Sequence, residues 1–149
     1  MKNAKLTVRD WMTSDPPTAG PQDSLQRAVE LLRRRGIRAV PVVDKGKLIG
    51  IVTDRDIRQV APSYPLLSEE DEIRRYSVNL KITAAMTANP LRISPDASLV
   101  EAAKLLEIYG ISSLPVVDEE ALVGMISVTD LLRAFIEQND HFDEAKAAR

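Results

Sequence analysis

Apolar residues between Leu25 and Leu32 fall at Leu25, Ala28, Val29, Leu31 and Leu32, and the run stops at Gly36. That spacing places them on one face of a helix, and a glycine just past the end supplies the left-handed cap that terminates it. Two short β-branched runs follow, Ala39 to Val43 and Leu48 to Thr53, joined by Asp44-Lys45-Gly46-Lys47. This predicts a hairpin, with a second helix from Asp54. The pattern then returns: Leu99, Ala102, Ala103, Leu105 and Leu106 precede Gly110, runs from Leu114 to Val117 and Leu122 to Ser127 follow, and a last helix is predicted from Val128. Aligned residue by residue, Trp11 to Arg58 matches Ala85 to Leu132 at a constant offset of 74 with no gap. Met12/Met86, Thr13/Thr87, Leu25/Leu99, Pro41/Pro115, Gly50/Gly124 and Asp56/Asp130 are among the matched pairs. Two copies are too few for a solenoid, which needs about three stacked units. The expectation is an α/β (α+β) paired module, each copy running strand, helix, strand, strand, helix.

Local signals refine the copies. Pro16-Pro17 and Pro90 keep the opening of each copy extended. Ser98 with Glu101 makes a capping box, and Asp23 with Gln26 offers a weaker version in the first copy. The second hairpin turn, Asp118-Glu119-Glu120-Ala121, lacks a glycine and is expected to be looser or of another type. Repeat 1 is placed at 8–60 and repeat 2 at 82–136. Between them, 61–81 is a linker with a Pro-rich turn and a short helix from Ser68 to Val78, capped by Ser68 with Asp71. The last helix runs through Leu131, Leu132, Phe135 and Ile136, and 137–149 forms a polar tail that frays beyond Asn139.

Composition removes most chemistry. With no cysteine and one histidine, His141, among 149 residues, disulfides, thiolate sites and an ordinary zinc site are not expected, and no Ser/His/Asp grouping or phosphate-binding Gly-rich lysine loop is present. We expect no enzyme, no metal and no covalent cofactor. The N-terminus lacks a signal-peptide core, and no stretch approaches the roughly 20 apolar residues of a membrane span. A cytoplasmic protein without membrane contact is expected. A net charge of −2 offers no general attraction for nucleic acid, although Arg33, Arg34, Arg35 and Arg38 form a local basic cluster, where any bound anion should be small. Arg33-Arg34-Arg35 reads as a solvated helix end offsetting the dipole, and Arg38 as facing either a phosphate or solvent.

The candidate chemistry sits at two junctions, Thr53-Asp54-Arg55-Asp56 and Ser127-Val128-Thr129-Asp130. Each reads as a capping box, and each equally as a ligand contact, since a strand-to-helix junction presents free amides and a carboxylate together. Trp11 reads as packing, and Asp44 and Asp118 as turn-closing carboxylates.

The Met-Thr opening, the Pro-Val-Val-Asp strand, the Gly-Ile-Val-Thr strand and the closing Thr/Ser-x-x-Asp, each repeated, resemble the CBS domain family, named after cystathionine β-synthase. With nothing catalytic flanking the pair, the chain resembles stand-alone bacterial members of the acetoin-utilisation type. The resemblance implies a pseudo-twofold module with two clefts for an adenosine ligand such as AMP, ADP, ATP or S-adenosylmethionine. It further implies that Thr53 with Asp56 and Ser127 with Asp130 hold ribose and phosphate. Adenine would lie against Thr13, Pro17, Ile37 and Arg38 in one copy and Thr87, Leu91, Ile111 and Ser112 in the other. On this reading the two clefts differ: Arg38, with Arg55 and Arg58, serves the cleft closed by Thr53 and Asp56 and gives it a preference for ligands with more phosphate. The other cleft has Ser112 in place of Arg38. A regulatory module that forms a homodimer and signals to a protein effector follows from the resemblance. The alternative is a constitutive dimerisation scaffold whose aspartates only cap helices.

Overall fold

The computed structural model describes residues 6–34, 37–60 and 80–140. The expected linker helix from Ser68 to Val78, the Gly36 cap and the end of the tail lie outside them. A short helix α1 (Val8–Trp11) and strand β1 (Thr13–Ser14) lead to α2 (Leu25–Arg34), the hairpin β2 (Ala39–Asp44) and β3 (Lys47–Thr53), and α3 (Asp54–Val60). The second copy repeats this with a 3-10 turn (Ile82–Ala84), β4 (Thr87–Ala88), α4 (Leu99–Tyr109), β5 (Ser113–Asp118), β6 (Ala121–Ser127) and α5 (Val128–Gln138). Ser98 and Glu101 form the predicted capping box of α4, and Gly110 ends that helix at φ 61°. The first copy differs: the Asp23 carboxylate accepts from the Gly20 N–H at 2.7 Å and pairs with Arg27, while Gln26 donates to Glu30, so the expected Asp23/Gln26 box gives way to a closed turn before the helix.

The openings of the two copies are exchanged. β1 pairs with β6 of the second copy, Thr13 opposite Met125, and β4 pairs with β3 of the first copy, Thr87 opposite Ile51. Val8 accordingly packs in the second core with Ile93, Leu106, Leu114, Val116 and Ile126, and half-buried Trp11 and Met12 join it. Ile82, Ala85 and Met86 pack in the first core with Leu25, Val29, Val40, Val42, Val52 and Ile57. Each opening also bonds the helix entrance of the other copy: Val8 N–H to Ala97 O at 2.9 Å and Leu99 N–H to Leu6 O at 2.9 Å, mirrored by Ile82 N–H to Asp23 O at 2.9 Å and Leu25 N–H to Leu80 O at 2.7 Å. The chain then returns to its own copy through a left-handed residue, Asp15 (φ 54°) or Asn89 (φ 50°), and pairs Ala19 with Val42 or Ile93 with Val116. Asp and Asn are the side chains that tolerate this backbone best after glycine.

The exchange explains two of the repeated glycines. A Cβ on Gly50 would come within 2.5 Å of Met86 Sδ, and one on Gly124 within 2.7 Å of Met12 Sδ and 2.8 Å of the Thr13 carbonyl. Each glycine is thus the seat of the other copy's methionine.

The two three-stranded halves meet at the hairpin tips, where Lys47 faces Ala121 and the sheet becomes six-stranded. Lys45 (φ 51°) and Gly46 (φ 82°) have the two positive φ values of a type I′ turn, and so do Glu119 (φ 47°) and Glu120 (φ 73°). The expectation of a looser second turn is therefore corrected. The strand twist demands this turn, and the neighbouring tip braces it: Leu48 N–H donates to Glu120 O at 3.4 Å and Lys47 Nζ lies 3.1 Å from Glu120 Oε2. Asp44 and Asp118 are exposed, and backbone pairing with Lys47 and Ala121 closes the turns in place of the expected carboxylate bonds.

Candidate functional site

Thr53 and Ser127 end their hairpins and start helices, so each exposes helix amides that have no partner within the helix. Asp130 meets this need with one oxygen: Oδ2 accepts from Ser127 N–H at 2.8 Å and Ser127 Oγ at 3.0 Å, while Ser127 Oγ accepts from Asp130 N–H at 3.3 Å. The Thr53–Asp56 pair repeats this geometry, with Oδ2 accepting at 2.8 Å and 3.0 Å. Both are capping boxes. The second carboxylate oxygen is left over for the cleft. Asp56 Oδ1 accepts from the Thr87 hydroxyl at 2.9 Å, and Asp130 Oδ1 lies 3.6 Å from Arg133 Nη1. Asp130 is the buried charged residue of the described core, 5% exposed.

Because the openings are exchanged, each carboxylate faces a wall supplied by the other copy. A cleft of about 280 Å³ is closed by Ser127, Thr129, Asp130 and Arg133, with Ser113 and Met125 at its floor, against Thr13, Pro16, Pro17, Ile37, Arg38 and Ala39 of the first copy. Its counterpart, about 580 Å³, is closed by Thr53, Arg55, Asp56 and Gln59, with Ala39 and Ile51, against Thr87, Pro90, Leu91, Ile111, Ser112 and Ser113, and extends to Tyr109, Gly110 and Pro115. Every residue lining the smaller cleft has its partner 74 positions away lining the larger one. Both lie in or near the range of about 300–1,000 Å³ usual for small-molecule sites. A third pocket between them is lined by Leu32, Ile37, Arg38, Thr53, Asp54, Arg55 and Ser112.

All twelve residues predicted from the sequence line these two clefts, but in a different grouping. Thr13, Pro17, Ile37 and Arg38 stand with Ser127 and Asp130, whereas Thr87, Leu91, Ile111 and Ser112 stand with Thr53 and Asp56. The expectation that Arg38 serves the Asp56 cleft is corrected accordingly: Arg38 lines the Asp130 cleft and reaches Thr53 and Arg55 only through the pocket between. Arg58 lines neither cleft. Sequence reasoning missed Arg133 and Gln59, aligned partners one turn past the two aspartates, and Pro16 and Pro90, which follow the left-handed residues of the exchange. Among the described residues no group of three His, Cys, Asp or Glu side chains is gathered as a metal site, and no helix is long and apolar enough to cross a membrane.

Comparison with known proteins agrees with this architecture. The sequence is 37% identical over 135 residues to a CBS domain-containing protein of Dictyostelium discoideum, covering 89% of this chain and 92% of that protein. Among solved structures, CBSX2 in complex with AMP superposes with a TM-score of 0.75 at 26% identity, covering 90% of this chain and 99% of that one. A protein described as a putative acetoin utilization protein, AcuB, from Vibrio cholerae superposes with a TM-score of 0.74 at 30% identity, covering 89% and 92%. The CBS domain profile matches residues 8–63 and 81–137; with its two exchanged copies, the chain belongs to the CBS domain family.

Proposed function

We propose that this protein is a non-enzymatic sensor that binds adenosine nucleotides, AMP, ADP, ATP or S-adenosylmethionine, in its two clefts and passes their occupancy to a protein effector. One observation carries the reading. In each Ser/Thr-x-x-Asp junction a single carboxylate oxygen satisfies the helix cap, and the other stands in a cleft walled by the opposite copy. Cap and ligand contact are therefore compatible in one residue. A carboxylate can accept from ribose hydroxyls at its remaining lone pairs, the apolar wall of Pro17 and Ile37, or Leu91 and Ile111, suits a base, and arginines at the rim suit phosphate. The AMP complex of the structural relative supports the ligand class.

A ligand that touches both copies binds one mutual arrangement better than another, which is the differential affinity a sensor needs. The readout is the assembly. Val128, Leu132, Phe135 and Ile136 form an exposed apolar stripe along α5, and Ile108 on the adjoining α4 is 72% exposed. This face is the homodimer interface of the reading, with the cytoplasm, where adenine nucleotides are held, as its place of action.

The test is a thermal-shift screen with the four ligands on wild type and on the Asp56→Ala/Asp130→Ala variant. The reading expects a ligand-dependent rise in Tm that the variant loses while remaining folded. No shift with any of the four would favour the scaffold, whose aspartates only cap helices.

A further inference from the structure

Resting on that nucleotide-binding reading, we infer that the two clefts take different ligands, and that the one closed by Asp130 is the site for a nucleotide bearing several phosphates. The near-perfect correspondence of their linings makes each departure informative. Arg38 and Arg133 line the Asp130 cleft, and the aligned positions in the Asp56 cleft are Ser112 and Gln59, both neutral. The Asp56 cleft has one arginine, Arg55, which follows Asp54 in the sequence and is aligned with Thr129.

The two arginines enter from different copies, Arg38 just before β2 and Arg133 on α5. Among the described residues Arg38 makes no ion pair or hydrogen bond, and Arg133 only approaches Asp130 at 3.6 Å with its side chain 65% exposed. Both guanidiniums are available: Arg133 is exposed, and at 3.6 Å it approaches the buried Asp130 without a hydrogen bond among the described contacts. Each can hold phosphate oxygens in two-pronged fashion, and a phosphate chain reaching both would tie β2 of the first copy to α5 of the second. In the other cleft the outward oxygen of Asp56 already accepts the Thr87 hydroxyl at 2.9 Å, and Tyr109 extends the lining. That cleft suits a larger adenosine compound with little negative charge.

The experiment is calorimetric titration of ATP and of adenosine into wild type and into Arg38→Ser/Arg133→Gln, which gives the Asp130 cleft the residues of its counterpart. The result expected is that ATP weakens roughly tenfold to a hundredfold at one site while adenosine changes by less than about twofold, with unchanged Tm. Raising the salt should erode the wild-type preference for ATP, since both arginines are exposed. Equal weakening of both ligands, or unchanged ATP affinity in a folded variant, would overturn the inference while leaving nucleotide binding standing. Wild type binding neither ligand would also overturn the inference, whereas the nucleotide-binding reading beneath it falls only if none of the four ligands of the thermal-shift screen binds. A second pair, Gln59→Arg/Ser112→Arg, should give the Asp56 cleft a preference for ATP; no gain there would also count against the role assigned to the arginines.

Discussion

The two copies share nearly everything that faces inward and diverge in what faces outward. Leu25 and Leu99, Gly50 and Gly124, and the two capping aspartates occupy matching places. At the surface, Val128 and Leu132 of α5 stand where α3 has Asp54 and Arg58, and Arg38 stands where the second copy has Ser112. Folding constrains the exchange of openings and the caps in both copies alike, because each opening is packed into the other copy's core. Ligand choice and assembly need only one copy each, so charge has gathered at one cleft and apolar surface at one pair of helices.

The comparison breaks most severely at the shared elements. Gly124→Val should destabilise by about 3 kcal/mol, the upper end of overpacking costs, and Gly50→Val by less. A side chain on Gly124 meets the Thr13 carbonyl at 2.8 Å, whereas at Gly50 the nearest carbonyl, Thr87, is 3.2 Å away. Urea melts of the two variants give the order, and a costlier Gly50→Val would contradict it.

Next come the aspartates. Asp130→Ala should weaken nucleotide binding by about 1.5–3 kcal/mol, the cost of a charge-assisted contact, and fold stability by about 1 kcal/mol for the lost cap. Asp56→Ala should cost a similar amount in its own cleft. Calorimetry beside denaturant melts separates the two effects.

The outer helices give a smaller but one-sided effect. Leu132→Asp should weaken self-association by more than about 1 kcal/mol, as expected of an apolar residue at the centre of an interface. Arg58→Asp, at the aligned place in α3, should leave it unchanged. Light scattering across a dilution series measures both, and a monomer at every concentration of the wild type would remove the dimer from the account.

The hairpin tips give the smallest effect. Glu120→Gly should stabilise by about 1 kcal/mol, since a non-glycine residue at positive φ carries a steric cost of that order. The exposed Lys47–Glu120 ion pair given up in exchange contributes little.

These contrasts also show which features the sequence made legible. Helices, hairpins and capping boxes were readable because each is set by residues a few positions apart, as with Ser98 and Glu101 or Lys45-Gly46. The exchange of openings was not, because Thr13 pairs with Met125 across more than a hundred residues, and a repeat states that two places are alike without saying which faces which. The local hints were Asp15-Pro16 and Asn89-Pro90, where the backbone turns left-handed before leaving for its own copy. The second turn is not legible because its glycine is missing, while the strand twist that selects its type acts through the backbone, and the Leu48 N–H from the other hairpin reaches the Glu120 carbonyl.

The central claim is that each site is assembled from both copies, so that Arg38 acts with Asp130 and not with Asp56. The most direct measurement is the effect of Arg38→Ser on ATP affinity in three backgrounds: wild type, Asp130→Ala and Asp56→Ala. The account predicts that the effect persists undiminished beside Asp56→Ala and largely disappears beside Asp130→Ala, because residues serving one ligand are coupled and residues serving separate ligands act independently. An effect that survived Asp130→Ala and vanished with Asp56→Ala would contradict it.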